Sequence, residues 1–469
     1  MAPRDRVLAS LSADFDADIV VIGAGAAGII AAWRAASLGA KVVLLEKTAR
    51  IGTKILISGG GKCNITHDGP IEDLLRAFRP EEARFLRPSF YRFKNTEIVE
   101  MLTDRGLEVY TRPDGRIFPV DRMAKDVVAI LESYLREARV NIRLACPVTS
   151  LNVIDGRVDE IRFLRGEVEE REVDAPSGGY RAKTAKNLLR DVNTEIVVPS
   201  TKTYGLRARQ YIVCVGGSSY PNSGTTGDGW PWLRSAGHTV APLRAALAPM
   251  YLNERDAWVD LAGVALRDIV LKGRQAKEFV RWSGDMLFTH QGISGPSALA
   301  ISRLVAERME SGLEPTIEVD LMPNMTPEEV GTWLQNMFTA SPHRRLGDFL
   351  EDTIPARVVE RLLVIAEIPL GAAGKQVDRK SRNRLATLLK GWPIGRVRHV
   401  PLEKGEVVAG GVALNEVDPK TMQSHLVKNL YLCGEILDIA GPVGGYNLQA
   451  AFATGFVAAE SATQALAAV

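Results

Sequence analysis

The stretch Gly23-Ala-Gly25-Ala-Ala-Gly28 constrains the fold of this chain more than any other. A glycine triplet alone says little in a chain with 42 glycines. Here it follows the β-branched run Asp18-Ile-Val-Val-Ile22 and opens a small-residue segment from Ile29 to Leu38. A second apolar run, Lys41-Val-Val-Leu-Leu45, comes next and ends on Glu46. Strand, glycine turn, helix, strand and terminal acid in register form a βαβ dinucleotide fingerprint. Gly23 permits the tight turn, Gly25 lets the backbone approach a pyrophosphate, and Gly28 lets the helix pack on the strand. With Ala26 and Ala27 it starts a helix whose unpaired N–H groups and positive dipole end suit phosphates. Glu46 is placed to accept from the two adenosine ribose hydroxyls, and its charge disfavours a 2′-phosphate. A glycine turn that binds nothing would not need all five elements.

The chain of 469 residues has length for roughly three domains. Its hydrophobic content of 46% and charged content of 24% are those of an ordinary globular protein. A net charge of +2 gives no global attraction to nucleic acid or membrane. Cys63, Cys146, Cys214 and Cys433 lie far apart, with no CxxC and no metal-type spacing. They suit a reduced compartment, and no metal is expected. The residues before Asp18 mix charged and small side chains without the apolar core of a signal peptide. No apolar run reaches the length of a membrane span. The expected location is cytoplasmic.

Past Glu46 comes a loop-like stretch that begins at Lys47 and holds Gly52, Lys54, Ser58, Gly59, Gly60, Gly61, Lys62, Cys63 and Asn64. Three consecutive glycines are unsuited to a regular helix or strand. Bracketed by specific donors, they fit a backbone lying close to a flat or phosphorylated ligand. A second island runs from the buried run Tyr211 to Val215 through Gly216, Gly217 and Ser218 to Asp228. A third, Asn429 to Cys433, ends on Gly434-Glu435, and Gly444-Gly445-Tyr446-Asn447 then opens an Ala-rich helix. Two-lobed flavoproteins place such an acid on the ribityl chain and aim such a helix at the flavin edge where charge develops. A dehydrogenase using NAD alone has no need of this element, so FAD is the favoured cofactor.

Three motifs together resemble the BaiN/YhiN family of FAD-dependent oxidoreductases. They are Gly52-Thr-Lys-Ile-Leu-Ile-Ser-Gly-Gly-Gly-Lys-Cys-Asn64, Phe288-Thr-His-Gln-Gly-Ile-Ser-Gly-Pro296, and Gly434-Glu-Ile-Leu-Asp438 with Gly444-Gly-Tyr-Asn447. The resemblance covers nearly the whole chain. It implies an α/β architecture: a Rossmann-like FAD domain of two-dinucleotide-binding type, split by a β-barrel and a small helical domain. It also implies FAD-binding positions at Gly23, Gly25, Gly28, Glu46, Lys54, Gly61, Asn64, Gly434, Glu435, Gly445 and Asn447. The family includes members linked to reduction of carbon–carbon double bonds, one branch acting on uridine in large-subunit ribosomal RNA and another tied to bile-acid dehydroxylation. The charged stretch at about 162–209 departs from the family pattern and reads as an insertion.

The expected organisation is a discontinuous FAD domain over 1–241 and 393–469, a barrel-like insert over 242–325 and a small helical domain over 326–392. Short β-type runs such as Asp268-Ile-Val-Leu-Lys272 and Thr316-Ile-Glu-Val-Asp320 support the barrel. Thr326-Pro-Glu-Glu329 combines a cap, a first-turn proline and a capping-box acid, and so starts the helical part. A return strand is expected over Val397 to Val400. Between Lys375 and Arg398 the chain carries Lys375, Arg379, Lys380, Arg382, Arg384, Lys390, Arg396 and Arg398 against Asp378 alone. Such a run is either a solvated helix face or the footprint of a phosphate backbone.

Reducing a polarised double bond also needs an acid beside the carbon that does not take the hydride. Cys63, His290 and Tyr446 are the candidates. Three activities compete: an NAD(P)H-driven, FAD-dependent reductase of an electron-poor C=C bond, an rRNA-modifying flavoenzyme making dihydrouridine, and an oxidase of a small amine or hydroxy acid. The partner is correspondingly a small molecule or ribosomal RNA. NAD(P)H would dock transiently, since there is no second GxGxxG.

Overall fold

The computed structural model describes residues 15–170, 195–198, 201–253 and 258–467. They form two compact units, one of residues up to Leu243 together with Val407 onward, the other Arg244–Glu406.

The first unit is built on a five-stranded parallel sheet. Its order from one edge is Leu430–Leu432, Ala208–Val213, Ala17–Ile22, Val42–Leu45 and Asn141–Arg143. Parallel strands covered on both faces read as continuous apolar runs, and Ile19 to Ile22 and Val42 to Leu45 are all buried. The helix Ala26–Ser37 follows the glycine turn and buries Ile29, Ile30, Ala31 and Ala32. Each fully buried Ile contributes roughly 1.5–3 kcal/mol. The C-terminal helix Tyr446–Ala467 packs so tightly on it that a Cβ on Gly455 would lie 2.3 Å from the Ala27 carbonyl oxygen. Glu460 accepts from Arg34 (2.5 Å) and also from Arg92, tying three helices together. The unit also holds small antiparallel sheets, among them Thr66–His67 with Arg116–Pro119 and Val109–Thr111, and Val148–Ile154 with Arg157–Leu164 and Thr203–Leu206. Of the charged stretch at 162–209, Glu167–Glu170 pairs with Glu195–Val198. Its segment Ser177 to Lys186 lies outside the described residues.

The second unit is a closed six-stranded barrel in the order Met250–Leu252, Gly292–Ser294, Lys277–Thr289, Ala265–Gln275, Thr316–Asp320 and Trp392–His399. Trp392–His399 corrects one expected boundary. It pairs with Thr316–Asp320 and Met250–Leu252 and closes the barrel, so residues 393–406 belong here and not to the nucleotide-binding unit. Its inward residues Trp392, Ile394 and Val397 are buried, and Trp392 stands edge-on to Trp258 with ring centroids 5.3 Å apart. The helical segment 326–392 is not a separate body either. Val330, Leu334 and Leu385 share one core with Leu271 and Phe288 of the barrel. Thr326 does cap the helix Pro327–Ala340: its hydroxyl accepts from the Glu329 N–H (3.2 Å), and Glu329 accepts from the Thr326 N–H (2.7 Å).

Candidate active site

The first unit brings the three glycine-rich islands together at the C-terminal ends of its parallel strands, where ligands of open α/β folds bind. Gly23 turns with φ +98°, and its N–H donates to the Leu45 carbonyl (2.8 Å). A Cβ on Gly28 would lie 1.8 Å from the Gly23 oxygen, so only glycine fits there. Gly25 is different: a Cβ there meets nothing within 4 Å. Gly25 is also the N-cap of the helix Ala26–Ser37, and it offers no side chain to the first-turn N–H groups of Ala26, Ala27 and Gly28. Open space over a helix end with uncapped donors is what a pyrophosphate requires.

Glu46 sits beside this turn. One carboxylate oxygen accepts from the Ala24 N–H (2.8 Å), and the other from the N–H (2.8 Å) and hydroxyl (2.9 Å) of Thr48. A carboxylate offers about four lone-pair sites, so capacity for a ribose hydroxyl remains. Lys47 reaches across to Asp228 (2.5 Å), which also accepts from Thr226 (2.6 Å). Lys47 and Asp228, each a cofactor-binding candidate from the sequence, thus join the stretch after Glu46 to the second island.

Lys54 and Glu435, 381 positions apart, meet at 2.6 Å. Lys54 also donates to the Ser219 hydroxyl (2.8 Å), and Glu435 accepts from the Val408 N–H (2.9 Å). Gly216 and Gly217 edge this cluster, because a Cβ on Gly217 would lie 3.1 Å from the Glu435 carboxylate. Beside them the Ser218 hydroxyl is buried without a partner among the described residues. A buried hydroxyl left unpaired costs free energy. Ser219 was not singled out from the sequence, and its place next to Ser218 on a glycine turn was the only signal.

The Ser58–Gly61 turn is strongly bent, with Gly59 and Gly60 at φ +57° and +69°. A Cβ on Gly60 meets nothing within 4 Å, and Gly52 is anchored by its N–H to the Ala24 carbonyl (2.8 Å). Asn64, with its amide oriented to satisfy both neighbours, donates to the Thr66 carbonyl (3.2 Å) and accepts from the Gly445 N–H (2.9 Å). Gly445 presses so closely on Thr66 that a Cβ would lie 2.5 Å from its carbonyl carbon. Gly434, at φ +75°, donates its N–H to the Thr454 hydroxyl (3.0 Å). Asn447 turns inward on its own loop, accepting from the Gly441 N–H (2.8 Å) and donating to the Gly441 carbonyl (2.9 Å). Its side chain shapes the entry to the C-terminal helix.

The proton-donor candidates lie in different surroundings. Cys63 is buried, and burial pushes its thiol up to about 12 despite a hydrogen bond with Ser58. His290 is an exposed residue of the second unit, between the strands Lys277–Thr289 and Gly292–Ser294. Tyr446 is half-buried at the start of the C-terminal helix, and burial raises its phenol above the ordinary tyrosine value. It stacks on His67 at 4.6 Å between ring centroids, and the His67 Nδ1 lies 3.1 Å from the Gly444 oxygen. His67, one residue past Thr66, gave no sequence signal of its own. Among the described residues no group of His, Cys, Asp or Glu is placed to hold a metal ion, and no helix is long and apolar enough to cross a membrane.

Comparison with known proteins extends this picture. The 3-dehydro-bile acid delta(4,6)-reductase of Clostridium scindens is 29% identical over 95% of this chain and 99% of its own length. The ribosomal RNA dihydrouridine synthase of Escherichia coli is 27% identical over 94% of this chain and 97% of its own. In fold alone, the chain is similar to 3-ketosteroid delta1-dehydrogenase from Sterolibacterium denitrificans, with a TM-score of 0.51 at 14% identity over 96% of this chain and 99% of that one. The model of the HI0933-like protein Rossmann domain matches residues 17–180 and 161–461, spanning every island that builds the cradle. By that near-complete match the chain belongs to the HI0933-like Rossmann-domain family.

Proposed function

We propose that the chain is a FAD-dependent oxidoreductase that reduces an electron-poor carbon–carbon double bond of a small molecule, with NAD(P)H as transient electron donor. The observation that carries this reading is the convergence of two glycine-led helices on one cradle, with open space over Gly25 and an unpartnered Ser218 hydroxyl beside Glu435. Gly25, Ala26, Ala27 and Gly28 would hold the pyrophosphate and Glu46 the ribose. Lys54, Ser218 and Glu435 would hold the polyol chain, and the Ser58–Gly61 turn with Asn64 and Gly445 would flank the ring. FAD, when bound, supplies the hydride for one carbon of the double bond. Tyr446 holds the proton for the other carbon: its phenol stays protonated across the working range and is braced by His67. Cys63, without exposed surface, is less suited. The bile-acid reductase supports the reaction class by its likeness over nearly the whole chain.

The test is direct. Purified protein should be yellow and release FAD rather than FMN. It should be reduced anaerobically by NADH or NADPH and then reoxidised by a conjugated enone. Colourless protein that takes up only NAD overturns the reading, and reduction by amines or hydroxy acids instead of NAD(P)H would make it an oxidase.

A second reading, reduction of uridine in ribosomal RNA, is supported by the synthases of Escherichia coli and Haemophilus influenzae. The basic run gives it limited support. Arg384 pairs with Glu367 (2.6 Å), Lys390 with Asp320 (2.9 Å) and Arg396 with Glu314 (2.9 Å), while Arg382 donates to Gln335. Mass spectrometry of rRNA nucleosides from a deletion strain decides it: lost dihydrouridine favours RNA, and unchanged dihydrouridine favours the small molecule.

A further inference from the structure

The three-stranded sheet of Thr66–His67, Arg116–Pro119 and Val109–Thr111 carries side chains that the FAD cradle does not use. Residues directly opposed in antiparallel strands share a face, as do residues two apart along one strand. His67 opposes Arg116, and Phe118 opposes Tyr110. The Arg112 N–H donates to the Arg116 carbonyl (2.9 Å), which continues the pairing by one step. His67, Arg116, Arg112, Phe118 and Tyr110 therefore form a stripe on one face.

One side of this stripe touches the candidate active site. His67 stacks on Tyr446, and a Cβ on Gly59, in the Ser58–Gly61 turn, would lie 3.0 Å from the Phe118 ring. The outer end is Tyr110, an exposed ring stacked on the buried Phe118 with centroids 6.1 Å apart. The Arg112 guanidinium lies over the same Phe118 ring, 4.3 Å from its centroid. A guanidinium held by its flat face keeps its N–H edges available for an anion.

The charges are unequally committed. Arg116 donates to Asp114 (2.9 Å). Arg112 has no ion pair among the described residues, nor has the exposed Lys62 that follows the Ser58–Gly61 turn. An exposed aromatic ring beside an unneutralised guanidinium suits a flat base and the phosphates attached to it.

We propose that this face docks the adenosine diphosphate half of NAD(P)H, with the adenine stacked on Tyr110 and the pyrophosphate on Arg112. The proposal rests on the reading of NAD(P)H as electron donor and gives that donor a place on the chain. The turn Gly23–Gly28 is assigned to FAD and no second GxGxxG exists, so a second dinucleotide needs a site of another kind. A ring and a cation on an open face hold it loosely enough to leave after each reduction.

The test uses FAD-loaded enzyme and two probes without nicotinamide, ADP-ribose and its 2′-phosphate, titrated calorimetrically. At least one should bind, and Arg112→Gln or Tyr110→Ala should weaken it about tenfold or more, through loss of a charged contact or a stacked base. Tyr110→Phe should keep the affinity, and Arg112→Lys part of it. In stopped-flow reduction by NADH or NADPH, Arg112→Gln and Tyr110→Ala should need more nucleotide to saturate while the limiting rate holds. Failure of both probes to bind, or unchanged affinity in both Arg112→Gln and Tyr110→Ala, overturns the proposal. If NAD(P)H still reduces the flavin, those results strike this site and not the donor. A flavin reduced by neither NADH nor NADPH strikes the donor and the site together.

Discussion

Gly25→Ala isolates the cradle from the fold. The backbone at Gly25 has φ −78°, a value alanine adopts freely, and the new methyl group would meet no protein atom within 4 Å. Alanine is a poorer helix cap than glycine by about 0.5–1 kcal/mol. Reduced freedom of the unfolded chain returns about 0.4–1 kcal/mol. The apoprotein should therefore keep its stability to within about 1 kcal/mol. The methyl group would instead occupy the space over the helix end. Losing one charged hydrogen bond there costs about 1.5–3 kcal/mol, a roughly 10- to 150-fold weaker FAD affinity. Gly28→Ala is the contrasting control: its Cβ would fall 1.8 Å from the Gly23 oxygen and 2.9 Å from the Cys214 sulfur. Backbone cannot yield as a side chain does, so this variant should lose about 3 kcal/mol or more of apoprotein stability. Urea unfolding of apoprotein and flavin-fluorescence titration measure the two quantities separately. If Gly25→Ala binds FAD within threefold of the unaltered protein, or destabilises the apoprotein by more than about 2 kcal/mol, the assignment of that space to a pyrophosphate is wrong.

Three further outcomes follow from the geometry. Tyr446→Phe should keep its FAD content but lower the rate of double-bond reduction by about 10²–10⁴-fold, while flavin reduction by NAD(P)H stays intact, as stopped-flow half-reactions would show. Cys63→Ala should leave turnover within a few-fold, and native Cys63, its thiol pushed up to about 12, should resist alkylation at pH 8 until the protein unfolds. His238, buried between Glu416 (3.0 Å) and the Ser424 hydroxyl (2.9 Å), is held below its ordinary value of 6.5 by burial, against the pull of Glu416. The unfolded chain then binds more protons, so stability is lost as pH falls from 7 through that value. Burial pushes Glu416 upward, but bonds from Thr239 and His238 outweigh it and hold the carboxyl below 4.5, so its contribution is lost at still lower pH with the same sign. Denaturant midpoints should fall on acidification, and His238→Gln should flatten the slope above pH 5.

The sequence by itself determined the nucleotide-binding half of the fold. The Gly23–Gly28 turn, its two flanking strands and Glu46 lie within about thirty residues, where steric rules for glycine and the period of buried strands act locally. The same local physics placed the Thr326 cap, the run Asp268 to Lys272 within the longer barrel strand Ala265–Gln275, and the strand Thr316–Asp320. Only the tertiary structure decided which distant residues share a site. The meeting of Lys54 with Glu435, and of Asn64 with Gly445, depends on the parallel order that brings Leu430–Leu432 beside Ala208–Val213. No local pattern encodes that order. Trp392–His399 was misassigned because its six-stranded closure is set by partners more than seventy residues upstream. Asn447 was expected at the cofactor from the family resemblance, and only the fold shows that its amide also holds the Gly441 backbone. His67 and Phe78 carried no motif at all. They meet Tyr446 only where the C-terminal helix sets its ring against both, since such contacts depend on distances that the chain acquires on folding.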